Sequence, residues 1–363
     1  MRIATIIGNR PQFIKAAAVS RLLRERHDEL IVHTGQHYDD ELSRVFFDEL
    51  SLPAADLELR AGSGSNSAQT ARMLAALEPA LASLHPDLVL VYGDTNSTLA
   101  GTLAAAQQTI PVAHVEAGMR SFDRSMPEEL NRVLCDHASE LLFCSTPTAV
   151  ANLQREGIAA PVHLVGDVMA DVALAFAAVA EDRSNALAEH RVEAGAYLLA
   201  TAHRSGNVDD PGRLGRLVEL LEGLPLTTVL PLHPRTRARL VGAGLLERLE
   251  RAPALRLVAP LGYLDFLTLA RHARAVLTDS GGVQKEAYLL GTPCITLRDT
   301  TEWVETVESG HNVLVDLDPE ATARALAPIL RGDPPVAPRT ELYGGGKAGE
   351  RIRDALSAYT AQR

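Results

Sequence analysis

The sequence predicts an α/β fold in which two doubly wound domains face each other across a cleft. Short β-rich runs alternate with longer helical patterns along the whole chain, which is typical of parallel α/β units. The runs form two series, and a helical stretch with a polar end separates them. With 363 residues, the chain is too long for one ordinary core and fits two domains of roughly 150 to 200 residues.

Six strands are predicted in each half of the chain, from short apolar runs bounded by polar or turn residues. The first six are residues 3–8, 30–34, 88–93, 112–115, 141–144 and 162–165, and the second six are residues 197–201, 228–232, 255–258, 275–278, 294–297 and 312–315. Between them lie helical patterns such as residues 12–26, where apolar residues recur on one face. The predicted domains are residues 1–168 and 169–349, and the Pro-rich stretch 331–352 predicts a loop before a last short helix.

Composition and charge narrow the class of protein. The net charge of −11, without a block of lysine or arginine, argues against nucleic acid or an anionic membrane as a partner. The first residues contain no apolar stretch long enough for a signal peptide or a spanning helix, so a cytoplasmic enzyme is expected. The three cysteines have neither the even count of a disulfide framework nor the spacing of a zinc site, so no metal is expected.

Nucleotide-binding motifs of the common kinds are missing. No GxxxxGK[ST] occurs, and "GSGSNS" at 62–67 is interpreted as a loop, because the preceding "LELRA" is a poor strand signal. No dinucleotide cofactor is therefore expected.

Side chains that suit a reactive site follow the predicted strands in both halves. In the first half they are Arg10, Lys15, Asp94, Glu116, Glu128 and Arg132, and in the second half they are His203, His233 and Ser280. The carboxyl ends of parallel strands lie at one edge of a sheet, where ligands bind. Carboxylates in one half, with histidine and a Ser-Gly-Gly turn in the other, suit a bridging anionic substrate and acid/base chemistry.

Several of these residues also have a structural interpretation. Asp94 and Ser280 are residue types that often cap helices, and Ser125 to Glu128 fits a capping box. Lys15 could be a solvated side chain, and the two histidines could be satisfied loop residues. Glu116 is harder to explain in this way, because a carboxylate after an apolar strand must be paired or solvated.

The stretch "TDSGGVQKEAYLLG" at 278–291 indicates a phosphate site. Two glycines at a helix start let the backbone approach a ligand, and the free N–H groups and the helix dipole favour an anion. Glu286, four residues past Gly282, is expected to face the same opening and to accept hydrogen bonds from ribose hydroxyls. A nucleoside diphosphate fits this pair, which points to nucleotide sugars.

Nine motifs, in order over nearly the whole chain, closely resemble those of the non-hydrolysing UDP-N-acetylglucosamine 2-epimerases. They are "GNRPQFIK", "TGQH", "VYGDTNST", "AHVEAGMRS", "PEELNR", "TAHRSGN", "LPLHPRT", "LTDSGGVQKEA" and "LRDTTEW". The resemblance implies a fold like that of the two-domain GT-B glycosyltransferases, a homodimer, and reversible conversion of UDP-N-acetylglucosamine to UDP-N-acetylmannosamine. It also implies that the last helix, about residues 350–363, packs back on the first domain.

The resemblance also implies roles, position by position. It implies catalytic roles for Asp94, Glu116, Glu128 and His203, and substrate or UDP binding by Arg10, Lys15, Arg132, His233, Phe266, Ser280, Gly281, Gly282 and Glu286. Two departures concern the ligand: Gly206 stands where many members have glutamate, and Trp303 where many have arginine. Some relatives with such a tryptophan are associated with diacetamido-uronic acid nucleotides, so the identity of the sugar stays open.

The reaction of this family explains a need for several carboxylates. The C2 proton is not next to a carbonyl carbon, so the route is elimination of UDP to a 2-acetamidoglucal, followed by re-addition with the proton on the other face. Two faces need two proton-handling groups with tuned pKa values. Glu116 with Glu128 or Asp94 are the candidates. The alternatives are a hydrolysing relative, a glycosyltransferase on the same fold and a non-catalytic nucleotide-sugar sensor.

Overall fold

The computed structural model describes residues 1–36, 52–124, 126–332 and 340–362. Three features named above lie outside the described residues: His37 of "TGQH", Ser125 of the capping-box pattern, and residues 333–339 of the Pro-rich stretch. The chain divides into two compact units, of which the first is Met1–Val172 with Thr340–Arg363 and the second is Ala173–Arg339.

Strands and helices alternate through both units. The strands are β1 (Arg2–Ile7), β2 (Asp28–His33), β3 (Leu57–Glu58), β4 (Leu88–Tyr92), β5 (Val112–Ala117), β6 (Leu141–Cys144), β7 (Val162–Leu164), β8 (Tyr197–Thr201), β9 (Thr227–Pro231), β10 (Leu255–Val258), β11 (Ala275–Thr278), β12 (Cys294–Thr296) and β13 (Asn312–Leu314). The helices are α1 (Arg10–Leu23), α2 (Asn66–Leu84), α3 (Asn96–Gln107), α4 (Pro127–Ala138), α5 (Pro147–Arg155), α6 (Val168–Arg183), α7 (Ala186–Glu189), α8 (Ser205–Val208), α9 (Pro211–Glu222), α10 (Pro234–Gly242), α11 (Leu246–Arg251), α12 (Tyr263–His272), α13 (Gly281–Leu290), α14 (Val304–Glu308), α15 (Pro319–Arg331) and α16 (Ala348–Gln362), with a 3-10 turn at Thr340–Tyr343. All twelve predicted strands are therefore confirmed, with ends that shift by two residues at most.

Each unit is built around one parallel sheet. The strand order is β3-β2-β1-β4-β5-β6-β7 in the first unit and β10-β9-β8-β11-β12-β13 in the second. Both orders reverse once, between β1 and β4 and between β8 and β11. In doubly wound sheets, ligands bind outside the carboxyl ends of the strands at this reversal. The topology thus places the residues that follow these four strands where a ligand can reach them.

Both faces of each sheet are covered by helices, which explains why the strands are continuous apolar runs. Side chains alternate along β1, so that Ile3 and Ile7 pack with α1 and α16, whereas Ala4 and Ile6 pack with α2 and α3. All four are completely buried. Burying one such isoleucine side chain contributes about 1.5–3 kcal/mol, so the sheet is a rigid base for the loops at its edge.

The edge strand β3 corrects the interpretation of "LELRA" as a poor strand signal. Leu57 and Glu58 pair with Val32 and His33 of β2. This edge strand has only two residues, and only one of their side chains is partly buried. It therefore leaves almost no apolar pattern in the sequence. The following "GSGSNS" is a loop only up to Ser65, which caps α2.

The first helix starts earlier than predicted. It begins at Arg10 rather than residue 12, because Asn9 Oδ1 accepts a hydrogen bond from the Gln12 N–H and Pro11 fits the first turn. Arg10 therefore lies in the helix and not in a loop, and its side chain is outside what the structure describes.

The C-terminal helix is longer than the short helix predicted. It begins at Ala348, inside the stretch interpreted as a loop, because Asp171 accepts hydrogen bonds from the N–H groups of Ala348 and Gly349 at 3.0 and 2.7 Å. A distant carboxylate thus takes the place of a local N-cap. The helix packs against α1 in the first unit.

The compact units divide at 172/173 and 339/340, whereas the predicted boundaries were 168/169 and 349/350. Residues 340–349 go with the first unit because the Asp167 N–H donates to the Tyr343 carbonyl and Gly166 lies against Gly344. None of the helices within the described residues is long and apolar enough to cross a membrane.

Candidate active site

Asp94 follows β4 and lies beside two cations. Arg132 Nη1 is 2.5 Å from Asp94 Oδ2. The N-cap of the next helix is Thr95, which forms a capping box with Thr98, so the capping interpretation of Asp94 is wrong. Burial raises the pKa of the Asp94 carboxyl above its ordinary value, although Lys15 and Arg132 oppose this shift. A carboxyl with a raised pKa is suited to carrying a proton in part of a reaction cycle.

Glu116 lies at the end of β5 in a backbone conformation that glutamate rarely adopts. Its φ is 72°, and the pairing of β5 with β6 is irregular between Val115 and Ala117. Lys15 of α1 donates a hydrogen bond to Glu116 Oε2. Burial alone would lower the pKa of the Lys15 ammonium, but the carboxylates of Glu116 and Asp94 more than offset this and raise it. The expected pairing of this carboxylate is thus found, and its partner is another predicted site residue.

Glu128 and Glu129 are adjacent on α4 but have different surroundings. The Glu129 carboxylate is buried and accepts the N–H groups of Ser121 and Phe122, each at 2.9 Å, and a hydrogen bond from Arg132. Burial alone would raise the pKa of Glu129, but these hydrogen bonds hold it below its ordinary value. Glu129 therefore stabilises the loop before α4. Glu128 is exposed and is the member of the pair that is accessible to a ligand.

A polar cavity of about 300 Å³ lies beside the ends of β1 and β4. Its charged lining residues include Lys15, Asp94 and Glu128. Among its uncharged lining residues, Asn131 donates to the Asp94 carbonyl and Gln12 to a strand carbonyl, so these amides hold the backbone of the cavity wall. Three of the predicted site residues of the first unit therefore share one cavity, and Glu116 reaches it through Lys15.

In the second unit, Asp279 holds the loop that follows β8. The N–H groups of His203 and Arg204 donate to its completely buried carboxylate at 3.0–3.1 Å. The His203 ring lies nearby, with its Nδ1 3.5 Å from Asp279 Oδ1. His233 stacks on His203 with 5.3 Å between the ring centroids, and its Nδ1 accepts the N–H of Arg235 at the start of α10. The structure thus brings the two predicted histidines together.

The Ser-Gly-Gly turn begins α13, as predicted. Ser280 occupies the N-cap position, but its side chain makes no capping hydrogen bond. Gly281 and Gly282 form the first turn, where backbone N–H groups have no acceptor within the helix. The simple capping interpretation of Ser280 is therefore wrong, and the turn keeps the donors that a phosphate would need.

Polar groups surround Gly281 closely. A Cβ atom added to this glycine would lie 3.2 Å from Trp303 Nε1, 3.5 Å from Glu302 Oε2 and 3.7 Å from Arg204 Nη2. Burial alone would raise the pKa of Glu302, but its hydrogen bonds with Arg298 hold it below its ordinary value. An anion at this turn would meet an indole N–H and a guanidinium, and the Glu302 carboxylate beside them is already paired with Arg298.

Glu286 and Phe266 are the remaining predicted ligand residues of the second unit. Glu286 lies close to this turn along the chain, and Phe266 packs against the core of the unit. Glu286 is 6% exposed and lies one helical turn beyond Gly282. Its neighbour Lys285 has its Nζ 4.0 Å from the centroid of the Trp303 ring, a cation–π contact. Phe266 of α12 is half-buried and packs against the core on one face of the sheet.

Sequence reasoning gave no role to Asp279 or to the surroundings of Gly281. Asp279 has a usable signal, because it comes directly after an apolar strand and before the two glycines. The resemblance had pointed to the ligand at Trp303, but nothing in the sequence indicates that Glu302 approaches Gly281, because the two are about twenty residues apart along the chain. Among the described residues, no group of three or more His, Cys, Asp and Glu side chains is placed to hold a metal ion.

Comparisons with known proteins identify the family of this chain. Residues 21–357 match the family model described as UDP-N-acetylglucosamine 2-epimerase. A UDP-N-acetylglucosamine 2-epimerase homolog of Methanococcus maripaludis is 46% identical over 98% of this chain and 99% of its own length. The UDP-2,3-diacetamido-2,3-dideoxy-D-glucuronate 2-epimerase of Pseudomonas aeruginosa is also 46% identical, over 98% of this chain and 99% of its own.

A solved structure has the same fold. The UDP-GlcNAc 2-epimerase of Methanocaldococcus jannaschii, in complex with UDP-GlcNAc and UDP, superimposes with a TM-score of 0.88 and 43% identity, covering 99% of this chain and 100% of that one. The fold is therefore GT-B-like and contains two Rossmann-like domains, as the resemblance implied. The chain belongs to the UDP-N-acetylglucosamine 2-epimerase family.

Proposed function

We propose that the protein interconverts UDP-N-acetylglucosamine and UDP-N-acetylmannosamine without hydrolysing them. The observation that carries this proposal is the grouping of Asp94 and Glu116, at the ends of β4 and β5, with Lys15 of α1. Their carboxylates differ in environment, since Asp94 is beside Arg132 with a raised pKa and Glu116 is paired with Lys15. Two carboxyl groups in different environments are what a two-face proton transfer requires.

The proposed reaction has two balanced steps. In the elimination, a carboxylate takes the C2 proton, the C1–C2 double bond forms, and the C1–O bond breaks with its electron pair going to UDP. In the addition, a UDP oxygen attacks C1 while a second carboxyl delivers a proton to the opposite face of C2. Asp94, Glu116 and Glu128 are the proposed proton-handling groups, and the shift in the pKa of Asp94 suits a donor.

The second unit is proposed to hold the nucleotide and to stabilise charge on the leaving diphosphate. Ser280, Gly281 and Gly282 offer a helix start, and Arg204 lies close to it. Glu286 is the proposed ribose ligand, and His203 is the proposed active-site histidine. Arg10, Arg132, His233 and Phe266 complete the proposed substrate contacts, and the homodimer implied by the family resemblance stays a prediction.

One observation favours a second candidate substrate. The curated relative that acts on a diacetamido-glucuronate nucleotide is as similar to this chain as the homolog named for UDP-N-acetylglucosamine. Trp303 lies within reach of Gly281, at a position where many members have arginine. The same 2-epimerisation of UDP-2,3-diacetamido-2,3-dideoxy-D-glucuronate is therefore the alternative.

Incubation in D2O tests the proposal. With UDP-N-acetylglucosamine, a chelator and no added NAD, we expect UDP-N-acetylmannosamine with deuterium at C2, because the proton returned to C2 comes from a carboxyl that exchanges with the solvent. NMR of the product measures both the epimer and the isotope. Protium retained at C2, or activity lost with the chelator, would contradict the mechanism.

The other products identify the alternatives. Release of free N-acetylmannosamine with UDP would indicate a hydrolysing enzyme, and sugar transfer without C2 exchange would indicate a glycosyltransferase. Turnover of only the diacetamido-glucuronate nucleotide would keep the reaction class and replace the substrate.

Glu286→Gln should weaken UDP binding while leaving the fold intact. A hydrogen bond to a charged group contributes about 1.5–3 kcal/mol, so we expect the Kd for UDP to rise roughly tenfold or more. Isothermal titration with UDP measures this, and the control is Glu250→Gln, which changes an exposed glutamate of α11 in the same unit. An unchanged Kd in a variant that melts like the wild type would rule out Glu286 as the ribose ligand.

A further inference from the structure

His114 is a completely buried histidine of β5 that no part of the proposed mechanism uses. Its Nδ1 lies 2.7 Å from Asp136 Oδ1, and its Nε2 lies 2.7 Å from the Gly93 carbonyl oxygen. A backbone carbonyl can only accept a hydrogen bond, so Nε2 carries a hydrogen. The partner of Nδ1 is the Asp136 carboxyl.

The surroundings of Asp136 keep it ionised. Its carboxylate also accepts the Gly118 N–H at 3.0 Å and pairs with Arg120 Nη1 at 2.7 Å. Burial alone would raise the pKa of the Asp136 carboxyl, but the hydrogen bond with His114 and the charge and hydrogen bond of Arg120 hold it below its ordinary value. The carboxylate is therefore a fixed anchor for the Nδ1 side of the His114 ring.

Arg120 extends the hydrogen-bonded network around this ring. Arg120 pairs with Asp136 on one side and, through Nε and Nη2, with Glu156 at 2.7 Å on the other. The side chains of His114, Asp136 and Arg120 are 0%, 0% and 1% exposed. A buried charged network of this kind is costly unless every member is paired, and here each one is.

The network joins the two backbone segments that carry the proposed proton-handling groups. Gly93, whose carbonyl His114 holds, directly precedes Asp94, and its N–H donates to the Val115 carbonyl of β5. Gly118 donates its N–H to Asp136 and comes two residues after Glu116. Glu116 has a φ of 72°, and a residue in such a conformation persists only where its surroundings hold it there.

We propose that His114 is a positioning residue, whose ring ties the Gly93–Asp94 turn to Asp136 and thereby sets the placement of the Asp94 carboxylate relative to that of Glu116. It touches no substrate, because it is completely buried and is not part of the cavity wall. The inference rests on the proposed function, since it assumes that both carboxylates act on one sugar carbon.

Two substitutions each keep half of the contacts. In His114→Gln, the new amide nitrogen can take the place of Nε2 and keep the hydrogen bond to the Gly93 carbonyl. In His114→Asn, the new amide nitrogen can take the place of Nδ1 and keep the hydrogen bond to Asp136. A misplacement of about 1 Å can cost on the order of a hundredfold in rate. We expect kcat to fall ten- to a hundredfold in His114→Asn and less in His114→Gln, with the Kd for UDP within about twofold of wild type.

The control is His163→Gln. His163 is a partly buried histidine of β7 that packs on Phe143 in the same unit. A merely structural role would lower the melting temperature of the His114 variants without lowering kcat of the folded enzyme. A kcat for His114→Asn that equals that of His163→Gln would therefore overturn the proposal.

A measurement on the wild type keeps the test independent of variant folding. In 15N-histidine NMR at neutral pH, Nε2 of His114 should carry a hydrogen, because it faces the Gly93 carbonyl oxygen, and a bare Nε2 would overturn the proposal. Deuterium exchange at C2 by the wild-type enzyme distinguishes a failure of the proposed function from a failure of the proposed role of His114. If the wild type shows no exchange, the proposed function fails, whereas exchange with an unaffected His114→Asn variant removes only the role of His114.

Discussion

Turnover should fall about a hundredfold or more in each of the variants Asp94→Asn, Glu116→Gln and Glu128→Gln, while the Kd for UDP stays nearly unchanged. The size of the loss is typical of acid/base groups. UDP binding is expected to persist because the proposed nucleotide contacts lie in the second unit, on α13 and the loop after β8. Initial rates at saturating UDP-N-acetylglucosamine, with titration of UDP, measure the two effects separately.

The matched control is Glu78→Gln, which neutralises an exposed glutamate of α2 in the same unit. Glu116→Gln should also leave Lys15 without a full negative charge beside it. The melting temperature of this variant should therefore be recorded together with its turnover rate. Near-wild-type turnover in all three carboxylate variants would leave them with structural roles only, and the proposed mechanism would have to be abandoned.

Gly118→Ala should lower the free energy of unfolding by about 3 kcal/mol or more, because two costs add. Gly118 has a φ of 77°, and a Cβ atom there would lie 2.4 Å from the Ala149 carbonyl oxygen. A left-handed conformation costs an alanine roughly 1–2 kcal/mol. The overlap with a backbone atom adds more, because it can be relieved only by moving α5 or the end of β5.

Gly157→Ala is the control for the first of these costs. Gly157 has a similar φ of 72°, but no atom lies within 4 Å of its added Cβ. It should therefore lose only roughly 1–2 kcal/mol in urea denaturation. Equal losses in the two variants would show that the close approach of Gly118 to Ala149 does not matter. Since Gly118 follows Glu116, any Gly118→Ala enzyme that folds should also turn over more slowly.

Residues of the candidate site were predictable to different degrees. Asp94 and Glu116 could be located because they directly follow apolar strands, and parallel strands end at one edge of a sheet. Their surroundings could not be predicted. Thr95 competes with Asp94 as a cap one residue away, and only the structure shows that Thr95 makes the capping bonds. Likewise, Glu128 and Glu129 are the same residue type in adjacent positions, and the fold of the preceding loop decides which of them is buried.

The sequence by itself determined the α/β class, the twelve longer strands and the division into two sheets, because strands covered on both faces must be apolar throughout. Only the tertiary structure decided the features that depend on partners far along the chain. The start of α16 depends on Asp171, which lies 177 residues before Ala348. The position of the His114 ring depends on Asp136 and on Gly93, 22 and 21 residues away. The physical reason is that burial patterns are local and repeat along one element, whereas a hydrogen bond or an ion pair is set by whichever group the fold brings within about 3 Å.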